Sequence, residues 1–256
     1  MRAPALPKEH GGWAMLYAPL IVGGVRGGVV RPDLVGIAAG ISAAYLARAP
    51  ATALLARRVP ARAVARWLAV CAAVFLASAL WLAWHPRRSA LLALVGIGVV
   101  VFVLHSVLFL RREDRSATGE LLGIAGLCLS APIGYVAAMG ASIREAAVLW
   151  ALCVLFFGSS VFYVKWRVRR LVADRKGGNA ADAAVALIAY HVVLLATLVA
   201  LAAGGLTPWG ILWAFAPLLL RYFLPLIVRD TPTLIQIGVS EIILSLAFVL
   251  ALLAAY

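Results

Sequence analysis

Apolar stretches of about 20 residues, each long enough to cross a bilayer as a helix, follow one another along almost the whole of this 256-residue chain. No other feature limits the fold so sharply. Hydrophobic residues fill 65% of the positions, and nearly all the charge falls in the short connections. Backbone groups in hydrocarbon must be satisfied internally, which a helix does within one segment. Strands of a membrane barrel would alternate over about ten residues, whereas these runs are apolar on every face. The expectation is an all-α polytopic membrane protein, a single integral membrane domain over residues 1–256.

Nine spans are predicted, near Gly12–Val30, Leu34–Leu55, Trp67–Trp84, Ala90–Leu110, Leu121–Gly140, Ala146–Val164, Ala183–Ala203, Pro208–Val228 and Leu234–Ala254. Their connections are short. The longest run from Ala56 to Arg66 and from Lys165 to Asp182, too short for a core of their own. Both are strongly basic. With the N-terminus in the cytoplasm, seventeen Lys and Arg residues fall inside and five outside, with Arg221 within a span. That bias predicts a bacterial inner-membrane protein with its N-terminus cytoplasmic and its C-terminus external. The formal charge of +13 is thereby explained as topogenic, and it also meets anionic lipid. No nucleic-acid partner is expected.

Cys71, Cys128 and Cys153 lie within spans and form no CxxC pair. They read as small packing residues rather than as a disulfide framework or zinc site. No cleavable signal peptide is expected at the start. Leu16-Tyr-Ala-Pro19 and Leu129-Ser-Ala-Pro132 suggest a faint repeat of two four-helix units with a ninth helix, against the alternative of chance in an Ala- and Leu-rich chain.

Acidic residues inside apolar spans cost free energy and need a reason. Glu120 opens the fifth span, and Glu241 lies about two turns into the ninth. Arg221 is expected at similar depth, so Arg221 and Glu241 form a predicted intramembrane ion pair, structural or functional. Lys8, Glu9 and His10 stand before the first span, followed by Gly11 and Gly12. A cation, an anion and an imidazole side by side can bind a polar headgroup or move protons; they can equally form a solvated helix entry. His105 and His191 read as histidines bonded to neighbouring helices rather than metal or haem ligands. No metal site is expected. GxSxG, P-loop, HExxH and CxxCH motifs are missing, so no catalytic residue is named.

Leu6-Pro-Lys-Glu-His-Gly-Gly-Trp-Ala-Met15 resembles the opening signature of the YwiC-like family of bacterial membrane proteins. Tyr45-Leu-Ala-Arg-Ala-Pro50, Glu120-Leu-Leu-Gly-Ile-Ala-Gly-Leu with Ala131-Pro132, and Gly158-Ser-Ser-Val-Phe-Tyr-Val-Lys165 fit the same family. The resemblance implies a multi-span protein without an established activity, and it strengthens Lys8, Glu9 and His10 as site residues. The nine-span layout is also similar to UbiA-type prenyltransferases. In those proteins Asp-rich motifs after spans two and six hold magnesium and a prenyl diphosphate. Here Arg48 to Arg58 contains no Asp, and only Asp174 and Asp182 follow span six, too few carboxylates to chelate two magnesium ions.

The expected function is binding of an anionic amphiphile, a lipid phosphate or an isoprenoid, in a polar cavity on the cytoplasmic side. Its ligand-binding residues would be Lys8, Glu9, His10, Arg48, Glu120, Tyr163 and Lys165, with cations in place of a metal bridge. Membrane lipids are the expected partners and no cofactor is expected. A degenerate UbiA-type prenyltransferase, which alone would need magnesium, is one alternative. A small-solute transporter is the other. No span carries an obvious Gly-Pro break flanked by polar residues, which counts against transport.

Overall fold

The computed structural model describes residues 10–28, 32–176, 179–227 and 234–256. Within these the chain is helical, with ten helices and no strand among the described residues. They are α1 (His10–Arg26), α2 (Asp33–Leu55), α3 (Ala61–Leu82), α4 (Arg88–Leu110), α5 (Ala117–Leu127), α6 (Ser130–Ala137), α7 (Ile143–Lys176), α8 (Ala181–Ala203), α9 (Ile211–Ile227) and α10 (Leu234–Ala255). Seven described spans, with α5 and α6 counted as one, are long and apolar enough to cross a membrane. At the other two expected positions, α1 and α9 have 17 residues each. The protein is an all-α, multi-pass membrane protein, and its helices fall at the nine positions the hydropathy predicts.

Contacts divide the chain into two compact units, residues 1–150 and 151–256. In the first, α2 packs on α3 and α1 packs on α6. The α1–α6 crossing is close because it is made of small residues. A Cβ on Gly23 would stand 1.9 Å from the Ala131 carbonyl oxygen, and one on Gly27 2.4 Å from the Tyr135 carbonyl oxygen. On the facing helix, a Cβ on Gly134 would stand 2.7 Å from the Leu20 carbonyl oxygen. The spacing of Gly23 and Gly27 is the GxxxG pattern of close helix pairs. In the second unit, α7, α9 and α10 meet through aromatic rings. Phe156 stacks on Phe248 at 3.9 Å between centroids, and Phe215 meets Phe248 edge-on at 5.3 Å.

Two expectations about the elements need correcting. The predicted fifth span is not one helix. It turns at Cys128 and Leu129 between α5 and α6. Pro132 is the cause: it has no N–H to donate to the Cys128 carbonyl four residues back, and its ring crowds that carbonyl. Several of the freed backbone groups find other partners. Ala131 N–H donates to the Cys128 carbonyl at 3.0 Å. Ser130 Oγ–H donates to the Leu127 carbonyl at 2.9 Å, and Trp150 Nε1–H on α7 donates to the Ala125 carbonyl at 2.9 Å. The chain therefore contains a broken span, made without a Gly-Pro pair.

The predicted loop from Lys165 to Asp182 is the second correction, since α7 continues as helix to Lys176. Its 34 residues span about 51 Å at a rise of about 1.5 Å each. That exceeds the roughly 30 Å of hydrocarbon, so the basic final turns extend beyond it. Arg and Lys are good helix formers, and falling hydropathy marks the end of the membrane rather than the end of the helix.

Candidate functional site

A cavity of about 460 Å³ opens within the first unit. Its walls come from α1 at Leu16, α2 from Ile41 to Ala51, α3 from Leu68 to Phe75, α4 from Leu94 to His105, and α5–α6 from Gly123 to Ile133. The lining is almost wholly apolar, with many small residues, Ala43, Ala44, Ala47, Ala72, Gly98 and Gly126 among them. Small side chains on facing helices leave space where larger ones would interdigitate. The expected polar cavity is thus corrected to an apolar one with a few polar groups.

Arg48 and His105 lie toward one end, with Tyr45 at mid-depth and the Ser130 hydroxyl nearer the other end. Arg48 lies in the last third of α2, Tyr45 about one turn earlier at the middle of that helix, and His105 near the C-terminal end of α4. The helices that follow each, α3 and α5, begin at that same end. The Arg48 guanidinium carbon lies 5.8 Å from the centre of the Tyr45 ring, a cation–π distance. Trp13 of α1 meets Tyr45 edge-on at 4.9 Å and stacks on Tyr17 at 5.9 Å. Tyr17 is fixed in turn by a 2.6 Å hydrogen bond between its hydroxyl and Ser42 Oγ. The His105 ring sits against α5, where a Cβ on Gly123 would stand 3.2 Å from Nε2. Glycine at that position lets the imidazole lie beside the helix.

The N-terminal signature approaches this end as well. Gly12 packs directly under the Tyr45 hydroxyl, so α1 starts beside the Tyr45–Arg48 pair. Lys8 and Glu9 lie outside the described residues, as do the side chains of His10 and Arg221. Glu120 stands in the first turn of α5, where Ser116 caps the helix by accepting from Gly119 N–H at 3.0 Å. An acidic group there suits the helix dipole.

Tyr163 and Lys165 belong to the second unit. Tyr163 is buried with Trp166, Ala183 and Leu187. Its hydroxyl accepts from Arg167 Nε–H at 3.1 Å, and the Arg167 guanidinium lies over both the Tyr163 and Trp166 rings. In the same unit Glu241 accepts from Ser160 Oγ–H at 2.6 Å, which places a polar pair deep within α7 and α10.

Two further clusters stand at the end of the first unit opposite Arg48. Glu145, at the start of α7, binds Arg26 Nη2 at 2.9 Å and accepts from the Tyr135 hydroxyl at 2.8 Å. His85 is buried; its Nδ1 accepts from Arg87 N–H at 3.0 Å and its Nε2 lies 3.1 Å from the Ala137 carbonyl oxygen. Asp33 accepts from Trp81 Nε1–H at 2.9 Å and lies 3.7 Å from His85 Nε2. These groups tie helix ends together. Among the described residues no group of three His, Cys, Asp or Glu side chains is placed to hold a metal.

Tyr45 and His105 are cavity residues that the sequence does not single out as ligand-binding. For His105 the available signal is the cost of an ionisable ring inside a span.

The sequence profile of the family described as "YwiC-like protein" matches residues 6–135, which takes in the whole cavity lining. The chain is also 29% identical over 252 residues to the protein described as "Uncharacterized protein YwiC" from Bacillus subtilis (strain 168), covering 98% of this chain and 97% of that one. No solved structure matches.

Proposed function

The chain belongs to the YwiC-like family, and from that premise we propose that it binds an anionic amphiphile in the cavity of its first unit. The observation that carries this reading is the contrast between the two ends of that space. An apolar slot suits a hydrocarbon chain at roughly 25 cal/mol per Å² buried. Arg48 at the rim suits an anionic head, which it can hold by two parallel N–H bonds. Tyr45 braces the guanidinium, and His105 adds a second polar group on the facing wall. Lys8, Glu9, His10 and Glu120 remain proposed contributors to the same polar end, and Tyr163 and Lys165 remain proposed ligand-binding residues within the second unit.

In this proposal the N-terminus is cytoplasmic and the rim faces the inner leaflet of the cytoplasmic membrane, where anionic headgroups abound. Reporter fusions support it if one after Tyr256 reads external and one in the Arg111–Ser116 connection reads cytoplasmic. The binding test uses a spin-labelled or fluorescent alkyl phosphate with protein in phosphatidylcholine nanodiscs. Arg48→Ala removes a charge-assisted contact worth about 1.5–3 kcal/mol, a tenfold to hundredfold loss. Arg48→Lys restores only part, since it keeps the charge and loses the fork. EDTA leaves binding unchanged. Binding or prenyl transfer that requires magnesium would instead favour the UbiA-type alternative.

A second reading, small-solute transport, gains from the broken α5–α6 span, whose turn residues Leu127, Leu129 and Ser130 line the cavity. Discontinuous helices commonly form transport sites. The apolar lining argues for an amphiphile over a hydrophilic solute.

A further inference from the structure

We infer that the occupant carries one hydrocarbon chain of about 15 carbons; this rests on the amphiphile reading above. Depth comes first. Along α4 the lining runs from His105 at the polar end to Leu94 at the apolar end. Eleven residues at about 1.5 Å each give roughly 16 Å. That is about half of the roughly 30 Å hydrocarbon thickness, and because α4 runs from Arg88 to Leu110 the slot lies around the middle of the span. Ile133 and Leu94 form its far wall.

Volume gives the second measure. A cavity of about 460 Å³ divided by roughly 30 Å³, the share of one water in the liquid and a fair stand-in for one chain carbon, holds about 15 carbons. A diacyl lipid would bring twice that. The chemistry is therefore a single-chain amphiphile with an anionic head at Arg48, and its chain is either straight acyl or branched prenyl.

Gly98 is the residue that sets the usable length. It lies on the cavity wall between Leu94 and His105, and a Cβ there would meet only Leu129 Cδ1, at 3.9 Å. A larger side chain at this position extends into the slot instead of colliding with a neighbour. Gly98→Leu also removes a poor helix former, so the fold is expected to hold.

The experiment measures retention by native mass spectrometry of protein in phosphatidylcholine nanodiscs. One arm offers straight alkyl phosphates from half to twice the inferred length. A second offers prenyl phosphates over the same range, and a third offers diacyl phosphatidic acid. Retention should peak near 15 carbons in at least one single-chain arm, and the stronger arm identifies the chain type. Phosphatidic acid should bind at least tenfold more weakly. Gly98→Leu should shift the optimum down by about four carbons, the size of the side chain added, while short chains bind as before. Equal retention at all lengths, or phosphatidic acid held as well as the best single chain, overturns the inference and leaves anionic-amphiphile binding standing. If no phosphate amphiphile of any length shows Arg48-dependent retention, the underlying reading fails with it.

Discussion

Gly12 and Tyr45 are packed so closely that a Cβ on Gly12 would stand 2.0 Å from the Tyr45 hydroxyl oxygen and 2.8 Å from the ring carbon bearing it. The first residues of α1 can lie against the Arg48 end of α2 only because position 12 has no side chain. Gly12→Ala should therefore push Tyr45 away and cost about 1–3 kcal/mol, the usual range for overpacking. Thermal unfolding in detergent measures it. Tyr45→Phe in the same chain should recover part of the loss, because it removes the nearer of the two atoms. Full tolerance of Gly12→Ala would mean that α1 and α2 are not held at this distance.

The α1–α6 crossing makes a sharper contrast. A Cβ on Gly23 meets a backbone carbonyl, which cannot swing aside, whereas one on Gly96 of α4 meets nothing within 4 Å. Gly23→Ala should lower the melting temperature by several degrees or abolish the folded protein. Gly96→Ala should be neutral or slightly stabilising, since alanine is the better helix former. Similar behaviour of the two variants would contradict the crossing.

Arg26, Tyr135 and Glu145 predict a coupled network. The Arg26 and Glu145 side chains are each 28% exposed, so their coupling should fall between the roughly 1 kcal/mol of a surface pair and the about 3–5 kcal/mol of a fully buried one. A double-mutant cycle with Arg26→Leu and Glu145→Gln measures it directly. Additive losses would show that the two residues act independently.

Within the second unit, Ser160→Ala removes the hydroxyl that donates to Glu241 at 2.6 Å. The loss should be about 1.5–3 kcal/mol, as for hydrogen bonds to a charged group. The predicted partnership of Arg221 with Glu241 is checked in the same series. Arg221→Leu and Glu241→Leu should each lower stability, and the double change should recover part of it, because removing one partner strands the other charge. Strict additivity would rule the pair out.

Much of this protein is legible in its sequence because a bilayer allows few solutions. Nine apolar stretches fall where the helices lie, and the charges mark their ends. Reading fails where structure depends on contacts across long sequence separations. Arg26 and Glu145 look like ordinary connection charges, yet they meet across 119 positions. The basic run after Val164 reads as a loop because hydropathy reports the membrane and not the backbone; α7 passes straight through it. Pro132 is visible, but the turn it causes begins at Cys128, one helical turn earlier. Arg48 is recognisable as a cation ending a span. His105 joins it only through the packing of α4 on α5, which no local pattern states.

The most direct test is native mass spectrometry of the protein released from its own membrane without added ligand. The cavity account predicts one tightly held anionic amphiphile with a single chain per protein, retained in EDTA and lost on Arg48→Ala. Protein that emerges with no such molecule, or that holds the same one undiminished after Arg48→Ala, would contradict it.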